Sequence, residues 1–176
     1  MRLLACLLLC TGSFAATAVA QPARDITLTP VEIAAAFSYD IRGDEPSTAD
    51  RGAGGIVSVS GNVNDHVAVT AEFAASARMT SIAAGPRVST GFYRDGAGNI
   101  PGRFFATALI GRHGGSGGAP PGTAIQVGAG ADVLVVRRGL SLHWALDYLF
   151  TPGSRDDLSG ARVSVGIVVG PHRRRP

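Results

Sequence analysis

Residues 140–150 read Leu140-Ser141-Leu142-His143-Trp144-Ala145-Leu146-Asp147-Tyr148-Leu149-Phe150, and alternate positions separate by chemistry. Leu140, Leu142, Trp144, Leu146, Tyr148 and Phe150 share one face, while Ser141, His143, Ala145, Asp147 and Leu149 share the other. A period of two is the period of a pleated strand with one apolar face. The same alternation recurs along the chain and predicts eight strands: Val31 to Ile41, Gly54 to Asn62, His66 to Ala75, Thr80 to Tyr93, Arg103 to Gly111, Ile125 to Val136, Leu140 to Phe150 and Ala161 to Gly170. Turn chemistry separates them: Asn62-Val63-Asn64-Asp65, Asp95-Gly96-Ala97-Gly98-Asn99 and Arg137-Arg138-Gly139 are tight. Longer polar connections run through Arg42 to Arg51, Gly111 to Ala124 and Thr151 to Asp157. No segment after residue 20 combines a helical period with caps, so the class is all-β.

Ahead of these strands, Arg2 precedes an apolar run from Leu3 to Cys10, and Ala18-Val19-Ala20 stands before Gln21. This is the pattern of a cleavable export signal over residues 1–20. A lipoprotein reading at Cys10 meets a bulky Leu9 where a small residue belongs. Cys6 and Cys10 both leave with the signal, so the mature chain is expected to have neither disulfide nor thiol nucleophile. The expected division is a signal at 1–20, an N-terminal segment at 21–30, a barrel domain at 31–170 and a basic tail at 171–176. All 16 basic residues are Arg, against 13 acidic ones, and the formal net charge is +3. So small an excess, with no basic face and no regularly spaced stacking aromatics, argues against nucleic acid as a partner.

A half-apolar strand suits either a soluble barrel with its apolar face inward or a membrane barrel with that face toward lipid. The polar faces decide between them. They carry small residues and single charges, as in Glu32, Ala34, Ala36, Ser38 and Asp40, or Gln126, Gly128, Gly130 and Asp132, rather than long solvated side chains. Such a face fits the narrow interior that eight strands enclose. The sequence therefore predicts an eight-stranded antiparallel up-and-down transmembrane β-barrel. With odd-numbered strands running outward, Tyr39, Phe73, Tyr148 and Phe150 fall near the outer ends and Phe92, Tyr93 and Phe104 near the periplasmic ends. Two aromatic girdles at the lipid interfaces are expected from this placement.

Several short phrases add a likeness to a known family. Gly61-Asn62-Val63-Asn64 at a periplasmic turn, Ala84-Gly85-Pro86-Arg87-Val88-Ser89, Gly130-Ala131-Asp132-Val133, Asp147-Tyr148-Leu149 and Arg162-Val163-Ser164-Val165-Gly166-Ile167 stand in the order and spacing of small bacterial outer-membrane barrels. The chain resembles those of the OmpA-barrel and OmpX type over most of residues 21–176. That resemblance implies residence in the bacterial outer membrane, contact with outer-membrane lipid and lipopolysaccharide, and a structural or adhesion-type role. It departs at Val169-Gly170-Pro171-His172-Arg173-Arg174-Arg175-Pro176, where such barrels usually finish on an aromatic residue read by the assembly machinery.

The inward charges Glu32, Asp40, Glu72, Arg87, Asp132, Asp147 and Arg162 are expected to form a salt-bridge network, since an unpaired buried charge costs several kcal/mol. A narrow passive pore is the alternative if that network opens. No catalytic, cofactor or metal site is expected. Ser141 and Asp147 stand about 20 Å apart along one strand, too far for a triad with His143. His66 with Glu72, or His113 in the Gly-rich connection, are the residues a lipid-modifying barrel enzyme would have to use. Four scattered His give no metal-ligand spacing. Arg42, Arg51, Arg112 and Arg155 fall in or beside outer connections, where they can meet lipopolysaccharide phosphates or stay solvated. Arg42-Gly43-Asp44 spells an adhesion tripeptide that chance readily produces here, and Arg173 to Arg175 are expected as a solvated tail. The expected assembly is a monomer, with host or neighbouring cell surfaces as partners of the loops. A soluble lipocalin-like binding barrel is the rival reading, and fractionation separates the two. We expect the protein in the detergent-extracted membrane fraction; recovery in the aqueous periplasmic fraction would end the membrane reading.

Overall fold

The computed structural model describes residues 21–22, 26–42, 51–77, 79–94, 101–115, 121–136, 139–152, 159–170 and 173–174. Eight long strands dominate them: β1 (Val31–Arg42), β2 (Arg51–Asn62), β3 (Val67–Ser76), β4 (Met79–Ser89), β5 (Pro101–Gly115), β6 (Gly122–Val136), β7 (Leu140–Phe150) and β8 (Gly160–Val169). Each strand pairs antiparallel with its neighbours in the chain, and β8 pairs with β1. The sheet is thus a closed up-and-down barrel. No described residue is helical.

Closure fixes the stagger. Cross-strand partners lead from Val31 to Gly61, Val69 and Pro86, then across to Ala108, Val127, Tyr148, Ala161 and back to Ile41. One circuit therefore climbs ten residues along β1, from Val31 to Ile41. With eight strands this stagger tilts them by about 40°, the usual range for a closed barrel. The β4–β5 ladder runs from Ser89 to Met79 but skips Gly85 and Pro86, where proline has no N–H to donate.

Burial alternates along every strand. Ile33, Phe37, Val57, Val69, Phe73, Ile82, Ile110, Val127, Leu142, Trp144, Leu146, Tyr148 and Val165 are exposed on the outer wall, whereas Glu32, Ser38, Ser60, Thr70, Arg87, Gln126, Asp132, Ser141, Asp147, Arg162 and Ser164 are buried inside. A polar interior inside an apolar wall is the inverse of a soluble barrel and the arrangement of one that faces lipid.

Several strand ends differ from the sequence reading. β5 and β6 continue through the Gly-rich stretch expected as a loop, with Arg112 pairing with Thr123 and His113 with Gly122. Glycine carries no side chain to report the alternation, yet it allows close backbone approach: a Cβ at Gly111 would stand 1.9 Å from the Ile82 carbonyl oxygen. β3 begins at Val67, because His66 belongs to a turn in which Asn64 Oδ1 accepts hydrogen bonds from the His66 and Val67 amides, both 2.8 Å. β4 ends at Ser89 rather than Tyr93, since Gly91 adopts φ +73° and turns the chain.

That turn corrects the expected lower girdle. Phe92 does not face lipid; it is buried at the base of the barrel with Leu134, against Ile26 and Leu28. Tyr93 lies outside β4, pairs with Pro22 and Gly102, and stacks on Phe104 at 5.5 Å between ring centroids. Tyr39, Phe73, Phe104, Tyr148 and Phe150 are exposed on the outer wall. The tail is also tied down, for Arg173 and Arg174 pair by backbone with Thr27 and Ile26. Residues 43–50 and 153–158, which include Gly43, Asp44 and Arg155, lie outside the described residues.

Leu146 sits mid-strand on the outer wall, between Val163 and Ala129. Replacing it with Arg is expected to destabilise the barrel in lipid by roughly 2 to 4 kcal/mol, as a charge near the midplane does. Urea titration in lipid vesicles checks this, and an unchanged midpoint would reverse the assigned orientation.

Candidate functional site

The interior is the one place where the described fold gathers charged groups, and it does so in two layers. Near the base, Arg103 rises from β5, Arg87 from β4, Asp132 from β6, Glu32 from β1 and His143 from β7. Asp132, fully buried, is the hub. It accepts from Arg87 Nη2 at 2.5 Å, from Arg103 Nε at 2.8 Å and from His143 Nδ1 at 2.6 Å. A carboxylate only accepts, so the His143 proton in this bond sits on Nδ1. Arg103 also donates to Glu32 Oε2 at 2.6 Å. Two guanidinium groups thus meet two carboxylates in this layer.

Aromatic rings complete it. The Arg87 guanidinium lies 3.9 Å from the Phe105 ring centre, and Phe105 stacks on His143 with centroids 5.2 Å apart and planes 8° from parallel. Arg103 lies 5.2 Å from the ring centre of Phe92. Cations over ring faces gain electrostatic attraction without needing water. The small residues opposite give these long side chains their room: a Cβ on Gly130 would come within 2.5 Å of the Phe105 ring edge.

The second layer lies toward the other end. Arg162 of β8 donates from Nε to Asp40 Oδ1 at 2.9 Å and from Nη1 to Glu72 Oε1 at 3.1 Å. Gln126 Nε2 donates to the same Glu72 oxygen at 3.1 Å. Asp147 stands beside this group, folded over Gly128, where a Cβ would meet its Oδ1 at 1.8 Å. Glycine at 128 is what admits the carboxylate. Between the layers remains a cavity of about 30 Å³, lined by residues that include Ser58, Thr70, Thr107 and Ser164 with Arg87, Glu72, His143 and Asp147. That is room for a few water molecules at most.

The seven charges assigned inward from the sequence thus divide between layers. Glu32, Arg87 and Asp132 meet at the base, and Asp40, Glu72, Arg162 and Asp147 meet above. The sequence reading missed Arg103, although it opens the fifth strand predicted there and stands on the same face as Phe105 and Thr107. It also took His143 as inward without a partner; the partner is Asp132. The groups weighed for catalysis stay apart. His143 is bonded to Asp132, Asp147 belongs to the upper layer, and Ser141 lies beyond His143 toward the base. His66 Nδ1 lies 3.1 Å from the Ser89 carbonyl oxygen in a turn, while Glu72 is held by Arg162 and Gln126. His113 is buried near the opposite end. Among the described residues no three His, Cys, Asp or Glu side chains converge as a metal site requires.

With this geometry, comparison with solved structures places the fold. Neisserial surface protein A matches with a TM-score of 0.55 at 15% identity, over 79% of this chain and 94% of that one. A de novo designed transmembrane β-barrel matches at 0.51 and 13% identity, over 85% and 98%. The N-terminal β-barrel domain of Pseudomonas aeruginosa OprF matches at 0.50 and 14% identity, over 82% and 98%. No family model matches the sequence, and no curated protein matches it. The chain has the fold of the small eight-stranded outer-membrane barrels.

Because Asp132 joins three partners, Asp132→Ala leaves two buried guanidinium groups without their shared counter-charge. We expect a loss of about 3 to 5 kcal/mol in lipid. Asp40→Ala removes a single bond from a partly exposed group, with an expected loss of about 1 kcal/mol. Equal unfolding midpoints for the two variants would show that Asp132 is not the hub.

Proposed function

We propose that this protein is a closed, monomeric barrel of the bacterial outer membrane, exported by its N-terminal signal, that serves the envelope structurally and meets other surfaces through its outer loops rather than by conduction or catalysis. The observation that carries the reading is the filling of the interior. Two charged layers cross the barrel from opposite walls, and the cavity described between them is small, about 30 Å³. Conduction through such an interior requires breaking ion pairs that lack water to replace them, which is costly in a low dielectric. The base carries a further obstruction, as Phe92, Leu134, Ile26 and Leu28 pack together below Arg103.

A plugged barrel leaves its wall and loops as the surfaces that can act. Loops vary without disturbing the wall and so are where contact function resides. Since Gly114 and Gly115 belong to β5 and pair with Thr80 and Met79, a loop deletion that spares the wall starts after Gly115. In planar bilayers the purified protein is expected to show no steady conductance; stable unitary channels would favour the pore. Deleting residues 116–119 is expected to leave a folded, heat-modifiable barrel that no longer binds cells or lipopolysaccharide, measured against the intact chain. If neither form binds, the role is passive. Lipid hydrolysis or acyl transfer lost on changing His113 or His66 would replace this reading with an enzymatic one.

A further inference from the structure

Among the described residues, register places two charged residues on the outer face of the eight strands: Arg51, opposite Ile41 at the start of β2, and Arg112, exposed on β5. The other described positions on that face carry apolar residues, glycine, proline, threonine or the rings of Tyr39 and Tyr148. Arg112 stands in a cross-strand row with Phe73, Ile82 and Thr123, one from each of β3, β4 and β6. It makes no ion pair with another described residue. A shallow cleft of about 230 Å³ opens beside it, lined by Phe73, Thr80, Ile82, Arg112, Gly114 and Pro121 among others. Thr80 pairs with Gly114, the next outward-facing position beyond Arg112, and Thr123 pairs with Arg112 itself, so the two threonines stand next to Arg112 on the same face of the neighbouring strands.

Depth gives the feature its meaning. Phe104 and Arg112 share the outer face of β5, eight residues apart, or about 27 Å along the strand and about 20 Å in height at the barrel's tilt. The apolar band of such a barrel is about 25 Å tall. Arg112 is therefore at the far edge of the band from the Phe104 girdle, with acyl-facing Phe73, Ile82 and Ile110 below it. An arginine there carries its charge to the phosphate level of the leaflet while its stem lies on the wall.

We propose that Arg112, with the hydroxyls of Thr80 and Thr123, binds a phosphate of the phosphorylated glycolipid in the outer leaflet, whose acyl chains lie against Phe73, Ile82 and Ile110. The guanidinium offers paired N–H donors to two phosphate oxygens, the geometry in which arginine outperforms a point charge. The proposal rests on the outer-membrane reading, because that leaflet is the one facing the Arg112 end when both chain termini lie on the periplasmic side.

The test is retention of lipid by the full-length barrel in phosphatidylcholine bilayers doped with bis-phosphorylated lipid A, its dephosphorylated form or phosphatidylglycerol, read by native mass spectrometry after gentle release. The intact protein is expected to keep lipid A in preference to both alternatives. Arg112→Gln is expected to keep about ten-fold less, the consequence of losing one charge-assisted contact, with unchanged heat-modifiable mobility. Arg112→Lys should restore part of the retention, and the dephosphorylated lipid tests the same contact without any change to the protein. Equal retention of phosphorylated and dephosphorylated lipid A overturns the proposal, as does equal retention of phosphatidylglycerol. A chain that enters no bilayer fails the membrane reading and takes this one with it, whereas a chain that enters all of them without preference fails this one alone.

Discussion

Closure of the sheet is the constraint on which the rest of this molecule depends. In hydrocarbon no water can satisfy an N–H or C=O, so a strand edge left open would cost several kcal/mol for each exposed group. Pairing β8 back onto β1 from Val169 to Gly160 removes both edges at once. The price is geometric: eight strands joined with a ten-residue stagger enclose a narrow tube, and whatever points inward must fill that tube with satisfied partners.

The filling obeys the same accounting. Each carboxylate brought inside needs a donor of matching reach, and arginine, with five donors on a long stem, bridges walls that shorter cations cannot. Arg103 joins β1 to β6 in this way, through Glu32 and Asp132, and Arg162 joins its neighbour β1 to Glu72 of β3. Small residues on the remaining strands are the complement of these side chains. Gly128 exists under Asp147, and Gly130 under Phe105. The interior is a polar core in the sense that it holds opposite walls together, and it is also the reason that little free space runs along the axis.

The outer wall answers to a different solvent and shows a different economy. Its exposed Ile, Val, Leu and aromatic side chains would be an aggregation hazard in water, whereas in a bilayer they replace a hydrophobic core. Against that apolar wall the exposed Arg112 stands toward one rim, with Thr80 and Thr123 above it and apolar groups below. Polarity that changes with height along the wall is the signature of an interface between acyl chains and headgroups.

The sequence by itself determined what is local. Side-chain direction alternates with each residue in a pleated strand, so the composition of Leu140–Phe150 and its counterparts was enough to give strand number, the lipid-facing side and the inward set of Glu32, Asp40, Glu72, Arg87, Asp132, Asp147 and Arg162. It was silent wherever glycine erased the alternation, which is why β5 and β6 run further than the pattern through Gly111 and Gly114 indicated. A left-handed glycine also escapes a period-two reading, and Gly91 carries Phe92 from the expected girdle into the base. Tertiary structure alone decided which charges meet. Arg103 and Glu32 stand 71 positions apart in the chain, and Arg162 and Asp40 stand 122 apart. Their pairing depends on the stagger accumulated around the closed sheet, and no single strand records that quantity.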